Sequence, residues 1–594
     1  MLKTTLTVLI ASLGLYWSFA QQLGSIAGKI IAEGSPQEGV AIFVPTLGKG
    51  IVSDKDGKYE LNNLPVGEYV LNITFVGYKS LQPTITIHEN ERHTQDFEMQ
   101  ADAINLGQFV VTGTRNAVPI YQSPVIVSTI SRRTFEATQS LSLSEGLSFS
   151  PGLRLENNCQ NCGFTQVRIN GLEGPYSQIL INNRPIFSAL AGVYGLDMLP
   201  ANMVDKIEVV RGGGSVLYGG NAIAGTINIL TKDPIQNTFE VGLNQAFTDF
   251  NIPDRTLTFN GSVVGEYLDK GISFYGYHRH RNYWDANGDG FSEMTKLRNT
   301  TFGMDAFWNT SARSKLKLGI YNINEFRRGG NDFDLAPHQS DITEQLQHGI
   351  LGANLSFEQY SKNYKHKWAV YSSAQFVTRD SYYGGGGRVL TPADTLTEAD
   401  VLAINAYGKS SDISLVNGLQ YAYEMSKKVL FTAGSEYQYN DVLDQMPGYQ
   451  RKIDQQVGTL GNYAQLEWKP NERMTILAGG RYDVVQIAGL YDLQQETFED
   501  QKTLHVLVPR FSMMYALHEQ LKARVSFAQG YRAPQAFQED LHIETVGGAA
   551  KFVRLAPNLI TERSNSLTTS LNYTKMVNKT QLNLVLEGFF YTTE

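Results

Sequence analysis

The stretch Tyr283–Glu293, YWDANGDGFSE, comes closest to a chemical site by residue type and spacing. Asp285, Asn287 and Asp289 recur at every second position, Gly290 permits a tight turn, and Glu293 follows. Oxygen ligands at this spacing match the first half of a calcium-binding loop. Lys296 stands at the twelfth position, where a helix–loop–helix calcium site carries Glu, and the flanks read as strands. Two readings stay open: a calcium-ordered loop, or a solvated Asp/Asn/Gly turn. The two cysteines of the sequence, Cys159 and Cys162, lie in Asn-Cys-Gln-Asn-Cys-Gly. In an oxidising compartment such a pair forms a local disulfide. A metal site would need more ligands than the neighbourhood offers, and a thiol redox role would need a βαβ context that is missing. His88-x-x-Glu91 has zinc-peptidase spacing, but it is isolated at a strand end and reads as chance. His278 and His280 share one face of a strand, where they could face a lumen; a pair of His is not a metal site by itself. No nucleophile–base set stands out, and Gly212–Ser215 lacks the Lys of a phosphate loop. Binding, not catalysis, is the expected chemistry, with no cofactor required.

The elements that would position these residues are strands. Of the 594 residues 42% are hydrophobic and 18% charged, below the roughly 25% charged of an average soluble domain. Tyr (31), Phe (29) and Gly (55) are abundant, a mix that suits a β-rich protein with aromatic girdles. A formal charge of −8 argues against nucleic acid as a partner. Residues 1–20 read as a secretory signal: Lys3, an apolar run, then Ser18-Phe19-Ala20. Residues 22–100 alternate short strands with turns such as Asp54-Lys55-Asp56-Gly57, which indicates a small antiparallel β-sandwich. Residues 101–116 read as a linker. Residues 117–232 mix strands (VRINGL, SQILINNRPI, DKIEVVRG) with one amphipathic helix around Ser142–Phe149, an α+β unit.

From residue 237 to 594 the pattern becomes alternation over roughly ten residues. Leu257, Phe259, Gly261 and Val263 fall on one face, Thr258, Asn260 and Ser262 on the other. Short turns such as Thr310–Ser314 and Pro470–Arg473 alternate with long loops, Asn282–Asn299 and Asp380–Ala406. No run of 18 or more apolar residues follows the N-terminus, so a helical span is not expected. A period of two places one set of side chains toward lipid and the other toward a lumen.

The segment DKIEVVRGGGSVLYGGNAIAGTINILTK (205–232) resembles the plug signature of TonB-dependent outer-membrane receptors, carried by Arg211, Gly212, Leu217, Tyr218 and Gly219. Residues 22–100 are similar to the carboxypeptidase-regulatory-like domain that Bacteroidetes-type receptors carry ahead of the plug. LGQFVVTGTR (106–115) resembles the TonB-box region, with Phe109, Val110, Val111, Thr112 and Gly113 as the segment that would pair with the energy-coupling protein by β-augmentation. The alternative reading of that segment is an ordinary first strand of the plug. The resemblance implies a mainly β fold: the sandwich, the plug, and a transmembrane antiparallel β-barrel of about 22 strands. About fifteen strands are expected in 237–594, so the barrel is expected to be incomplete and the sequence truncated at its C-terminus. It also implies a Gram-negative outer-membrane location with the N-terminal domain in the periplasm. The implied partners are TonB, outer-membrane lipid and a small-molecule iron chelate. The plug loops near Asn158–Gly163, Gly171–Tyr176 and Phe187–Tyr194 would face outward to ligand, and Arg168 and Arg211 would pair with barrel acids. Tyr531-Arg532-Ala533-Pro534 and Pro557-Asn558-Leu559 resemble a barrel segment of the family. Haem receptors place an iron-ligating His between comparable boxes, and His542 lies between these; an ordinary loop residue is the alternative. Cobalamin receptors carry a similar acidic loop to that at Asp285–Glu293. The function implied is uptake of a siderophore or haem, with cobalamin uptake as the alternative and a non-transporting sensor or adhesin as the alternative of another class.

Overall fold

The structure is a computed structural model that describes residues 23–594 except 33, 45–46, 48, 76–80, 82, 100–108, 160–162, 186–194, 266–267, 312, 495, 536–557 and 578–579. It forms two compact units that divide at Gly107 and Gln108.

In the first unit Leu23–Ala32 is the organising strand. It pairs antiparallel with Lys58–Pro65, and parallel with Arg92–Thr94 and Phe97–Met99. The parallel pairs depart from the all-antiparallel expectation. The last strands return beside the first and run in its direction. Lys49–Val52, Ala41–Val44 and Asn72–Thr74 form a second sheet, and Gly67–Val70 pairs with Thr84–Ile87. Alternate residues Ile26, Ile30, Ile42, Val44, Tyr59 and Leu61 are buried in one apolar core. The period-two pattern therefore does what it predicts: one face of each strand leaves water.

The second unit contains a mixed sheet in the order Val127–Ser131, Val204–Arg211, Gly225–Thr231, Ser177–Ile181, Arg184–Pro185. Its pairs are antiparallel except that between Ser177–Ile181 and Gly225–Thr231. The predicted helix is present as Leu143–Leu147, with Ser142 as N-cap accepting from the Glu145 amide at 3.5 Å. A second helix, Arg132–Thr138, was not legible, because SRRTFEAT has no apolar period and a β-rich stretch precedes it.

Fifteen antiparallel strands then form one sheet in strict sequence order, from Thr238–Thr248 to Thr580–Thr593. Individual strands run from 11 to 23 residues, longer than the ten expected. Two long loops shrink accordingly, since strands extend to Gly385 on one side and begin at Lys296 on another. The loop 386–406 folds a helix of its own, Glu398–Asn405. Thr397 and Asp400 cap it reciprocally, by Oγ1 accepting from the Asp400 amide at 3.2 Å and Oδ2 from the Thr397 amide at 2.8 Å. Bonds to Arg388 and Thr397 hold the Asp400 carboxyl well below the usual carboxylate range.

The faces of this sheet are inverted relative to a soluble one. In Arg451–Asn471 the exposed row includes Leu460, Ala464, Leu466 and Trp468 beside Gln456 and Asn462, whereas the buried row includes Gln455, Thr459, Gln465 and Glu467 beside Ile453, Val457 and Tyr463. Apolar side chains face outward and polar ones inward, the arrangement a membrane barrel requires. At the short-turn end an aromatic cluster forms, with His366 stacked on Tyr423 at 4.4 Å and on Trp368 at 5.9 Å. Such rings belong at a lipid–water boundary. No helix of the described residues is long and apolar enough to cross a membrane; strands supply the crossing. Among the described residues the first and last strands each have one strand neighbour, and they do not pair with each other.

Candidate functional site

The plug is clasped by the inner face of the sheet. Arg115, its side chain 1% exposed, meets Glu436 at 3.1 Å. Its guanidinium also donates to the hydroxyls of Tyr371 at 2.9 Å and Tyr463 at 3.0 Å, and lies over the ring of Tyr218. Tyr371 donates to Glu436 at 2.6 Å. Glu436 faces a second cation, Arg481, at 3.6 Å, and Arg481 binds Asp483 at 2.6 Å. Tyr531 donates to the same Asp483. Charges this deeply buried persist only when paired and hydrogen-bonded. Sequence reading missed this network. Its one signal was charged residues on the inward row of strands whose outward row is apolar.

The predicted ion pair of Arg211 is present: it meets Glu587 of the last strand at 3.0 Å. Arg168 is a correction. It pairs with Glu156 and Glu173, both within the plug, and with no acid of the large sheet among the described residues. The hairpin that carries it brings Glu156 opposite Gln166, next to the Arg154–Arg168 pair, so a local partner is closer than any other.

The motif residues sit where plug and sheet approach most closely. Gly212 has φ +88°, and a Cβ on Gly213 would fall 2.7 Å from the Gln529 backbone carbon. Ser215–Tyr218 is a one-turn helix whose Leu217 and Tyr218 are 1% exposed. Gly219 ends it at φ +80°, with Arg481 beneath. The Tyr218 hydroxyl donates to the Thr112 carbonyl at 3.1 Å, which links the motif to the FVVTG segment.

That segment is partly folded into the plug. Phe109–Val110 pairs antiparallel with Val118–Pro119, and Phe109 is 51% exposed. Val111 and Thr112 then turn inward. Glu208 Oε2 accepts from the Val111 amide, the Thr112 amide and the Thr112 hydroxyl at 2.9, 2.9 and 2.6 Å. Lys206 neutralises the other Glu208 oxygen at 3.0 Å and donates to the Phe109 carbonyl. Thr112 and Gly113 are buried, and Arg510 donates to the Gly113 carbonyl at 2.6 Å. Phe109 is thus exposed, while Val110, Thr112 and Gly113 are buried.

The acidic stretch forms a tip closed by reciprocal backbone bonds between Trp284 and Met294. Carboxylate oxygens of Asp285, Asp289 and Glu293 converge to within 4.8 Å of one another. Asp285 accepts from the amides of Gly288 and Gly290 at 2.7 and 2.8 Å, and Glu293 from that of Ala286 at 2.5 Å. Asn287 is turned onto Asp289 instead, its amide donating at 3.0 Å. Hard oxygen donors gathered this closely fit a divalent cation such as calcium. Tyr283 stacks on Phe333 of the next loop at 3.7 Å, so order here extends to residues 331–341.

His278 and His280 fall on the outward face, opposite the lumen; His278 is exposed and bonds Thr300 at 2.9 Å. Cys159 ends the strand Leu153–Cys159, while Cys162 lies outside the described residues, as do His542 and Phe187–Tyr194.

A polar-lined, plug-filled antiparallel sheet with an apolar exterior defines a class: outer-membrane receptors whose strands span lipid around a globular plug. Residues 236–593 match the TonB dependent receptor-like β-barrel family, residues 119–226 the TonB-dependent receptor plug domain, and residues 26–111 the CarboxypepD_reg-like domain. The chain belongs to the TonB-dependent receptors, an outer-membrane family and not one of enzymes. It is similar to the vitamin B12 transporter BtuB of Vibrio cholerae, at 23% identity over 343 residues, 55% of this chain and 50% of that protein. The iron-regulated outer membrane virulence protein of the same organism is 27% identical over 220 residues, 36% of this chain and 33% of that one. The protein therefore spans half or less of the length of these curated relatives. Among solved structures, the ferric enterobactin receptor PfeA (R480A_Q482A mutant) of Pseudomonas aeruginosa superposes with TM-score 0.61 at 15% identity, covering 80% of this chain and 72% of that one. The ferric yersiniabactin uptake receptor FyuA of Yersinia pestis gives 0.58 at 16%, covering 79% and 72%. At such identities the likeness shows the fold.

Proposed function

We propose that the protein imports a ferric chelate, a siderophore complex or haem, into the periplasm, driven through a TonB-type coupling protein. The observation that carries this reading is the junction at Glu208. The exposed residue Phe109 leads directly into backbone held by Glu208 on an inner strand of the plug sheet, so a pull on the first is transmitted to the second. The similarity to an iron-regulated outer membrane virulence protein supports an iron cargo. Deletion of Phe109–Gly113 is the test. Uptake of labelled ferric chelate is expected to fail while binding at the cell surface survives. A sensor or adhesin that does not transport would be indifferent to the deletion, and unchanged uptake would overturn the proposal.

Cobalamin is the second reading, favoured by the gathered carboxylates at Asp285, Asp289 and Glu293 together with the similarity to vitamin B12 transporters. Calcium there would order the outer loops through the Tyr283–Phe333 stack. Calcium titration is expected to slow amide exchange in 283–294 and 331–341; no change up to millimolar calcium removes the metal. Growth of a deletion strain on single iron or cobalamin sources separates the two cargoes.

A further inference from the structure

The outward face of the sheet carries a groove of 440 Å³ between Leu355, Phe357, Val370, Leu419, Tyr437 and Leu460. Its floor is low because Ser372, Asn417 and Ser435 project short side chains where neighbouring strands project long apolar ones. Below it, at the short-turn end, the aromatic cluster of His366, Trp368, Tyr421 and Tyr423 marks the boundary with water.

The turns beneath that cluster are basic. Residues 358–367, 424–428 and 467–473 together hold seven Lys or Arg against four Glu. Lys367 and Lys469 are neutralised by Glu358 and Glu467. Lys362, Lys365 and Lys427 are exposed and have no carboxylate partner among the described residues. The turns are held side by side, because the Glu424 amide donates to the Lys365 carbonyl at 2.8 Å and the Lys469 amide to the Lys428 carbonyl at 2.7 Å. From Val370 to Lys365 is five positions and from Leu419 to Lys427 eight. That is about 17–26 Å of strand at roughly 3.3 Å per residue, less once strand tilt is included. One leaflet of hydrocarbon is about 15 Å deep. A headgroup on these lysines therefore places its acyl tail in the groove.

We infer that this surface is a binding site for one anionic phospholipid of the periplasmic leaflet, its phosphate held by Lys362, Lys365 and Lys427 and one acyl tail seated over Ser372, Asn417 and Ser435. Charge complementarity selects the occupant: an apolar groove alone takes any acyl tail, whereas unpaired ammonium groups at its foot favour a headgroup with net negative charge.

The test is native mass spectrometry of the protein released from micelles doped with equal phosphatidylglycerol and phosphatidylcholine. One retained phosphatidylglycerol is expected, with at least about fivefold preference over phosphatidylcholine. The triple variant K362Q/K365Q/K427Q is expected to abolish the preference. Ser435→Phe, which fills the groove and leaves the charges in place, is expected to lower retention of both lipids. Lys575→Gln, near the end of the distant strand Glu562–Val577, reports on general charge and is expected to leave the preference intact. Equal retention of the two lipids, a preference that survives the triple variant, retention that survives Ser435→Phe, loss of preference in Lys575→Gln, or a second protein copy displacing lipid from the groove would each overturn the inference.

Discussion

Glu436 is the residue on which the plug's seating turns, since it answers two guanidinium groups, Arg115 and Arg481, with no exposed surface of its own. Glu436→Gln leaves Arg115 buried against a neutral amide, while Arg481 keeps Asp483 at 2.6 Å. A loss of about 3–5 kcal/mol is expected, read from the urea midpoint of the folded protein in detergent. Arg115→Met combined with Glu436→Gln is expected to recover some of that loss, because the plug cation then leaves with its partner. Lys232 gives a pH-dependent counterpart. Burial, and then Arg132 nearby, lower its pKa from 10.5 to about 8. The folded state binds its proton less tightly than the unfolded state does, so this residue's cost is fully present below pH 8. It is relieved as pH rises through 8 toward 10.5. Unfolding midpoints are expected to rise across that window in the wild type, and to rise less in Lys232→Met. Neither residue's partners were legible in the sequence. The Arg115–Glu436 pair spans 321 positions, and only the three-dimensional register of plug and sheet decides which inward acid meets which plug cation. Arg211 was legible because it closes a strand in a recognisable motif; Arg168 was not, since a hairpin partner competes successfully for it.

At the scale of elements, two short segments are held by single carboxylates. Asp400 secures the loop helix Glu398–Asn405 through its box with Thr397. Thr397→Ala is expected to cost about 1 kcal/mol locally. Hydrogen exchange in 398–405 should then quicken roughly fivefold while the sheet is unaffected. Glu208 secures Val111 and Thr112, and Glu208→Gln weakens three charge-assisted bonds at once. Limited proteolysis is expected to cut residues 109–113 faster in that variant, with the rest of the plug as resistant as before. The sheet strands were legible because alternation survives in strands such as Ile252–Val264, Lys296–Ser311 and Leu521–Arg532, and their number follows from counting such segments. Their lengths were not: beyond the lipid both faces become polar, so the alternation fades while the hydrogen-bond ladder continues to Gly385 or Met446. Helix Arg132–Thr138 escaped notice for a related reason, since a seven-residue helix that buries only Phe135 has no period to read.

For the molecule as a whole, plug and sheet fit through backbone as much as through side chains. Gly213→Val would force a methyl group into the Gln529–Gly530 backbone, and the plug is expected to become protease-sensitive while the strands persist by circular dichroism. The short turns add a second restraint. The carbonyls of Arg313, Lys365, Lys428 and Arg473 each accept from the amide of Tyr360, Glu424, Lys469 and Ala516 on the following strand, at 2.7–2.8 Å. A reporter peptide spliced between Lys427 and Lys428 would cut one of these links and separate neighbouring hairpins. The same peptide between Val389 and Leu390 enters a stretch that no ladder depends on. One end of this protein is therefore closed to engineering, and the other can display foreign sequence without loosening the wall that carries it.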